Sequence, residues 1–366
     1  MLAALALSQR PKLSALLLVP HQRSLPLSDL RIAFVGFRHG HINSLYALAA
    51  KTPGVSIVAA CEEHEATRAD LHLKGDVDIT HDDAGRLLDE VDCDIIGVGD
   101  AFGLRGNRAI TALEAGRHVL VDKPLCTSLQ ELRRIRELAM AKNLQVGCML
   151  TMRDAAGTIA ARQLIRAGDI GEIHAIQFGG QHPLLRDTRP DWYWEPGMHG
   201  GTINDIGIHA IDGIPHITGL NFVRVEAARC WNAFATDVPH FEDGAQMLLT
   251  MDNGCGVMGD VSYHAPNGSG YSMPYYWRTT FWGQEGIIEI SSTADHLALT
   301  PATAKQTERR ALPASNSGGY FRAFLKTIRG EVLDEGEPST ENVLDSSERG
   351  LQVQAAADEN QRGVEL

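Results

Sequence analysis

The chain has 366 residues, more than one ordinary hydrophobic core accommodates, so two domains are expected. Its 46 acidic against 33 basic side chains give a formal charge of -13, and a surface of that sign repels phosphate backbones and anionic lipid, which argues against nucleic acid and membranes as partners. Six cysteines (Cys61, Cys93, Cys126, Cys148, Cys230, Cys255) form no CxxC pair and read as reduced thiols of a cytoplasmic protein.

In chain order, residues 1–29 carry basic side chains between short apolar runs and no small-residue cleavage site. This is not the pattern of a secretory signal, and a poorly ordered extension is expected. From Leu30 the pattern alternates. Arg31 to Gly36, Val55 to Cys61, Asp94 to Gly99, His118 to Asp122 and Gln145 to Cys148 read as strands. His41 to Ala50, Ala84 to Glu90, Arg105 to Ala115 and Ser128 to Lys142 read as the helices between them. The fold class is therefore α/β, with a doubly wound parallel sheet of dinucleotide-binding type over residues 30–150. Residues 151–366 are left for a second, α+β domain that binds substrate and mediates oligomerisation. Its segments VRVEAARCW, GAQMLLTMD, CGVMGDVSYHA and TTFWGQEGIIEI read as strands of a large, mostly antiparallel sheet, whose exposed face suits a homodimer or homotetramer.

Three segments carry chemistry. The first strand runs into Gly36-Phe37-Arg38-His39-Gly40-His41, where a dinucleotide fingerprint has glycines at its first, third and sixth places. Only Gly36 obeys. The second strand ends at Glu62, placed to accept from adenosine ribose hydroxyls and so to favour NAD, while Arg38 could pair with a pyrophosphate or a 2′-phosphate and leaves NADP open. The apolar run Val119-Leu120-Val121 then delivers Asp122-Lys123-Pro124 to the strand end, where ligands sit in open α/β sheets. Finally, Asp205 and His209 stand four residues apart and would share one helix face.

A lysine, a carboxylate and an imidazole converging on one volume suit the oxidation of a secondary alcohol. The hydroxyl proton must be removed as hydride leaves for a nicotinamide. His209 fits the base, Asp205 its orienting partner, and Lys123 a donor to the reacting oxygen with a pKa lowered by desolvation. The stretch from Gln181-His182 to His199 holds Arg186, Arg189 and Trp192-Tyr193-Trp194, groups that stack on sugar rings and bind hydroxyl or carboxylate groups. His182, His199 and His209 lack metal-ligand spacing, and no metal is expected.

The segments ALEAGRHVLVDKPL (Ala112 to Leu125), GCMLTMR with Arg153, GGTINDIGIH (Gly200 to His209) and the helix-like tail SSERGLQVQAAADENQRGVEL resemble the glucose-fructose oxidoreductase, inositol dehydrogenase and MocA family, almost from Leu30 to the C-terminus. The resemblance implies a Rossmann domain, an antiparallel-sheet domain, and sugar, inositol or related polyol substrates. It makes Lys123 the lysine beside the nicotinamide, and Asp205 and His209 the catalytic pair. The cofactor-binding candidates are Gly36, Arg38, His39, Gly40, His41, Glu62, Asp122, Lys123 and Pro124; Arg153, His182, Trp192 and Asn204 are the candidates for substrate. The glycine-poor loop, Asp122 in place of the usual Glu, and Arg105 where a histidine is common depart from the family pattern. Two other functions share these features: a lyase, epimerase or glycoside-cleaving enzyme that recycles the dinucleotide internally, and a non-catalytic ligand sensor.

Overall fold

The computed structural model describes residues 29–366, so the expectation for the N-terminal extension lies outside the described residues, Asp29 apart. Five strands, β1 (Leu30–Val35), β2 (Val55–Cys61), β3 (Ile95–Val98), β4 (His118–Val121) and β5 (Val146–Cys148), form one sheet in the order β2-β1-β3-β4-β5, with every pair parallel. The helices α1 (His41–Ala49), α2 (Glu65–Lys74), α3 (Ala84–Glu90), α4 (Phe102–Glu114) and α5 (Leu129–Lys142) connect them. The strand order reverses between β1 and β3, which opens a crevice at their carboxyl ends, where Gly36 and Asp100 meet. Helix α2 escapes sequence reading because only Leu71 of its ten residues is buried, so no apolar stripe marks it. Its ends are set instead by His64, which accepts from the Thr67 N–H, and by Gly75 in the left-handed region.

After α6 (Ala156–Ala167), the long strand β6 (Ile173–Pro183) enters a second sheet, followed by α7 (Ile208–Thr218), β7 (Phe222–Trp231), β8 (Gly244–Met251) and β9 (Gly256–Ala265). Strands β10 (Thr279–Gly283), β11 (Gly286–Ile290), β12 (His296–Pro301) and β13 (Glu308–Ala311) extend it on one side. The chain closes with α8 (Gly319–Arg329), α9 (Thr340–Asp358) and β14 (Arg362–Glu365), so the tail read as helical ends in a strand. The nine-stranded order is β13-β12-β11-β10-β6-β9-β8-β7-β14, antiparallel except for the β6/β9 pair. Helices α6, α7 and α9 share an apolar core with one face of this sheet. The other face leaves Leu248 and Met258, direct cross-strand partners, about half exposed (50% and 52%).

The last two helices also reach the first sheet: α8 packs on it, and α9 bridges it and the second sheet. Tyr320, Phe321, Phe324 and Leu325 of α8 pack with Ile32, Phe34 and Leu120 of the parallel sheet, and Val343, Leu344 and Leu351 of α9 join the core on its other side. A division at residue 150 thus separates stretches of chain but not the cores they build.

Candidate active site

The Asp122-Lys123-Pro124 turn leaves β4 under tight control. Arg105 of α4, fully buried, donates to the carbonyls of Asp100 (2.9 Å), Asp122 (3.1 Å) and Lys123, and to the Asp122 carboxylate (2.7 Å). The same carboxylate lies 2.6 Å from His39 Nδ1. Burial works to raise the Asp122 carboxyl, but Arg105 and His39 override it and hold the group well below the usual carboxylate range. His39 is pushed down to about 4 by burial, against the pull of Asp122. The second Asp122 oxygen, 3.4 Å from His41 Nδ1, has no hydrogen-bond partner among the described residues.

Across the crevice, Gly200 and Gly201 both take positive φ (+76° and +94°), and a side chain on either would collide, with Thr127 or with Gln354 respectively. They lead into a π-helical turn over Ile203–Gly207 and then into α7. Gln354 of α9 anchors this turn by accepting the N–H groups of Ile203 (2.9 Å) and Asn204 (3.2 Å). The expected continuous helix is therefore absent at this point. Asp205 and His209 still line one cavity of about 660 Å³ together with Lys123, but the two side chains form no hydrogen bond. Asp205 accepts from Lys123 Nζ (2.7 Å) and from the Tyr263 hydroxyl, and Tyr263 in turn meets His199 Nε2 at 2.9 Å. The role of Asp205 as the orienting partner of His209 is thus corrected: its oxygens hold Lys123 and Tyr263. Burial opposes ionisation of Asp205, yet Lys123 and His199 keep its carboxyl well below the ordinary value. Lys123 thus lies against a carboxylate and does not stand alone in an apolar site.

His209 is held neutral, first by burial and then by the Lys123 charge, and its Nδ1 is buried with no hydrogen-bond partner among the described residues. His182 lines the same cavity among Tyr263, Tyr271, Tyr276 and Trp277, and burial pushes it down to about 3. Trp277 reaches the site by lying over Gly180 of β6, where a Cβ would strike its ring. The aromatic run Tyr271 to Trp277 was not singled out in the sequence, although its density of rings was visible there. Tyr263 and Gln354 had no local signal at all, because their partners come from distant strands and helices.

Three substrate candidates lie elsewhere. Arg153 is turned away from the cavity into a two-pronged pair with Asp212 (2.8 and 2.5 Å), which Ser346 also supports. Trp192, 2% exposed, packs on Phe102 and donates its indole N–H to the Arg38 carbonyl, so it braces the first loop. Asn204 is buried and donates to the Cys126 carbonyl, tying the π-turn to the chain after Pro124. Glu62 is also reassigned by its placement: its two oxygens accept the Phe37 (2.5 Å) and His64 (2.7 Å) N–H groups, and it shapes the loop from beneath. Arg38 faces Asp100 at 3.9 Å.

The loop nevertheless suits a dinucleotide. Gly36 turns at φ +81° against Asp100, where a Cβ would sit 2.6 Å from the Asp100 Cβ. Helix α1 begins with no side-chain cap, and a Cβ on Gly40 would meet nothing within 4 Å. Open space at an uncapped helix N-terminus is a place for a pyrophosphate. Among the described residues, His39, His41 and Asp122 also bring ligand-type atoms within 4.8 Å of one another, with Asp122 already paired to Arg105.

Residues 30–149 match the oxidoreductase family with an NAD-binding Rossmann fold, and residues 158–289 match the GFO/IDH/MocA C-terminal domain. The chain belongs to the GFO/IDH/MocA family. It therefore carries that family's NAD-binding Rossmann domain, followed by its sheet domain. Among relatives, the dTDP-3,4-didehydro-2,6-dideoxy-alpha-D-glucose 3-reductase of Streptomyces violaceoruber is 26% identical over 85% of this chain and 90% of its own length. The 1,5-anhydro-D-fructose reductase of Ensifer adhaerens is 29% identical over 74% and 79%. The chain spans about half the length of two further relatives, a Saccharopolyspora spinosa reductase (26% identical over 56% of this chain and 58% of its own) and the levoglucosan dehydrogenase of Pseudarthrobacter phenanthrenivorans (27% over 48% and 45%). An inositol dehydrogenase homolog from Azotobacter vinelandii, solved with NAD+, shares the fold at TM-score 0.77 and 19% identity, over 93% of this chain and 98% of that one.

Proposed function

We propose that this protein is a nicotinamide-dependent oxidoreductase acting on a secondary alcohol of a sugar, inositol or related polyol. The observation that carries the reading is the convergence of the Lys123–Asp205 pair and a neutral His209, its Nδ1 without a partner among the described residues, on one cavity beside the dinucleotide loop. Nicotinamide, when bound, accepts or supplies the hydride. Lys123, paired with Asp205, donates to the reacting oxygen. His209, uncharged, takes the hydroxyl proton on a ring nitrogen. His39, His41, Tyr276 and Trp277 line the same cavity. The half-exposed apolar pair Leu248 and Met258 on the open sheet supports a homodimer or homotetramer.

The test begins with fluorescence titration of the purified protein with NAD(H) and NADP(H), followed by absorbance at the reduced-nicotinamide band across sugars and inositols. His209→Asn should lower kcat about 10²- to 10⁴-fold with dinucleotide affinity unchanged. An unaltered rate removes His209 from the chemistry. Substrate consumption without accumulation of reduced nicotinamide would replace net oxidation by the internally recycled route.

A further inference from the structure

Two cations, Lys123 and Arg189, and two carboxylates, Asp205 and Asp154, line the cavity, but they are not all paired with one another. Lys123 is matched by Asp205, and His182 and His209 are uncharged. Asp154, which also lines the cavity, is committed to the start of α8, where it accepts from the Tyr320 N–H and the Asn316 amide. Arg189 remains. Its guanidinium is sandwiched between the rings of Tyr193 (5.0 Å) and Tyr263 (5.3 Å). Its Nε donates to the Leu184 carbonyl (3.1 Å), and its Nη2 to the Pro183 carbonyl (3.1 Å) and the Tyr271 hydroxyl (3.2 Å). The other terminal nitrogen, Nη1, has only a long 3.5 Å contact with the Tyr193 hydroxyl.

Arg189 forms no ion pair among the described residues, in contrast to Arg105 with Asp122, Arg153 with Asp212 and Arg186 with Asp237. A cation packed between aromatic faces, fixed by neutral acceptors and left with an open donor edge on a ligand cavity is built to receive an anion.

The geometry points to Arg189 as the seat of a carboxylate on the substrate, so that the sugar or polyol oxidised is a sugar acid. A carboxylate is favoured over a phosphate ester because one guanidinium edge is offered, the other lysine or arginine lining the cavity, Lys123, is already paired, and Asp205 and three tyrosines stand around the rest. The inference rests on the oxidoreductase reading for the chemistry that follows, but not for the binding itself.

Calorimetric titration of the native protein, with and without NADH, tests it. The probes are D-glucuronate and D-galacturonate against D-glucose, D-galactose and D-glucose 6-phosphate. The uronates should bind about 10- to 100-fold more tightly than their neutral counterparts, the factor expected when a charged hydrogen-bonding group is added. Arg189→Met should abolish that preference while NADH affinity stays unchanged, and Arg189→Lys should keep part of it.

Equal binding of acid and neutral sugars, absent uronate binding, or tighter binding of the phosphate ester than of either uronate would overturn the assignment. So would a loss in Arg189→Met that falls on NADH. A protein that binds uronates selectively but never NADH would sink the oxidoreductase reading and leave this one standing.

Discussion

Arg105 shows how one buried cation organises the site without facing substrate. Its three nitrogens reach the Asp100, Asp122 and Lys123 carbonyls and the Asp122 carboxylate, so it fixes both the charge and the path of the segment that presents Lys123. Replacement by methionine keeps much of the volume but leaves Asp122, which has 0% exposure, without its cation. Arg105→Met should cost about 3–5 kcal/mol in urea unfolding and weaken turnover with it. A loss below about 1 kcal/mol would mean that His39 alone sustains the carboxylate. In the sequence, Arg105 was visible only as a departure from the family pattern. Lys123, Asp205 and His209 were legible because strand-end and short-spacing rules are local. Arg105, Tyr263 and Gln354 were not, since each acts on residues brought near only by folding.

The π-turn at Ile203–Gly207 is the element that decides where Asp205 points. A run such as GGTINDIGIH satisfies helix periodicity, and nothing within it reports that Gln354, some 150 positions away, will capture two of its N–H groups. The glycine pair is the part of the device that a sequence can display. Gly201→Ala should lower stability by at least about 1–2 kcal/mol, the cost of a left-handed backbone for an L-residue, with a further penalty from the collision with Gln354. Scanning calorimetry paired with activity should show both falling together; an unchanged melting temperature would mean that α9 gives way. Strand β6 was missed for a related reason: its tip, Gly180 to Pro183, looks like loop, yet pairing with β9 and β10 makes it central in the nine-stranded sheet.

Among the described residues, burial lowers five histidines: His39 and His216 to about 4, His182 to about 3, His209 well below its ordinary value, and His118 in the same direction. Each binds a proton more readily unfolded than folded. Its contribution is therefore complete above about pH 6.5 and is lost as pH falls toward the folded value, at about 1.4 kcal/mol per pH unit. Buried carboxyls such as Glu62 and Asp154, shifted upward, act in the opposite sense, so the effect is best read by difference. His216→Gln, outside the cavity lined by Lys123 and His209, should flatten the acid loss of unfolding free energy between about pH 6.5 and 4.5 relative to the native protein. Parallel curves would show that His216 titrates normally.

At this scale the alternation of strands and helices, the two sheets and the order of the segments were readable from periodicity. The return of α8 and α9 to the first sheet was not, because their apolar stripes do not name the surface they cover. That return makes the ribbon of chain double back and clasp its own beginning. The nucleotide half cannot be excised as a free-standing module: cut after residue 150, it would bare the surfaces that Phe321, Phe324 and Leu344 now cover, and it would meet water as a sticky slab. Both halves are, in effect, a single purchase on the folded state.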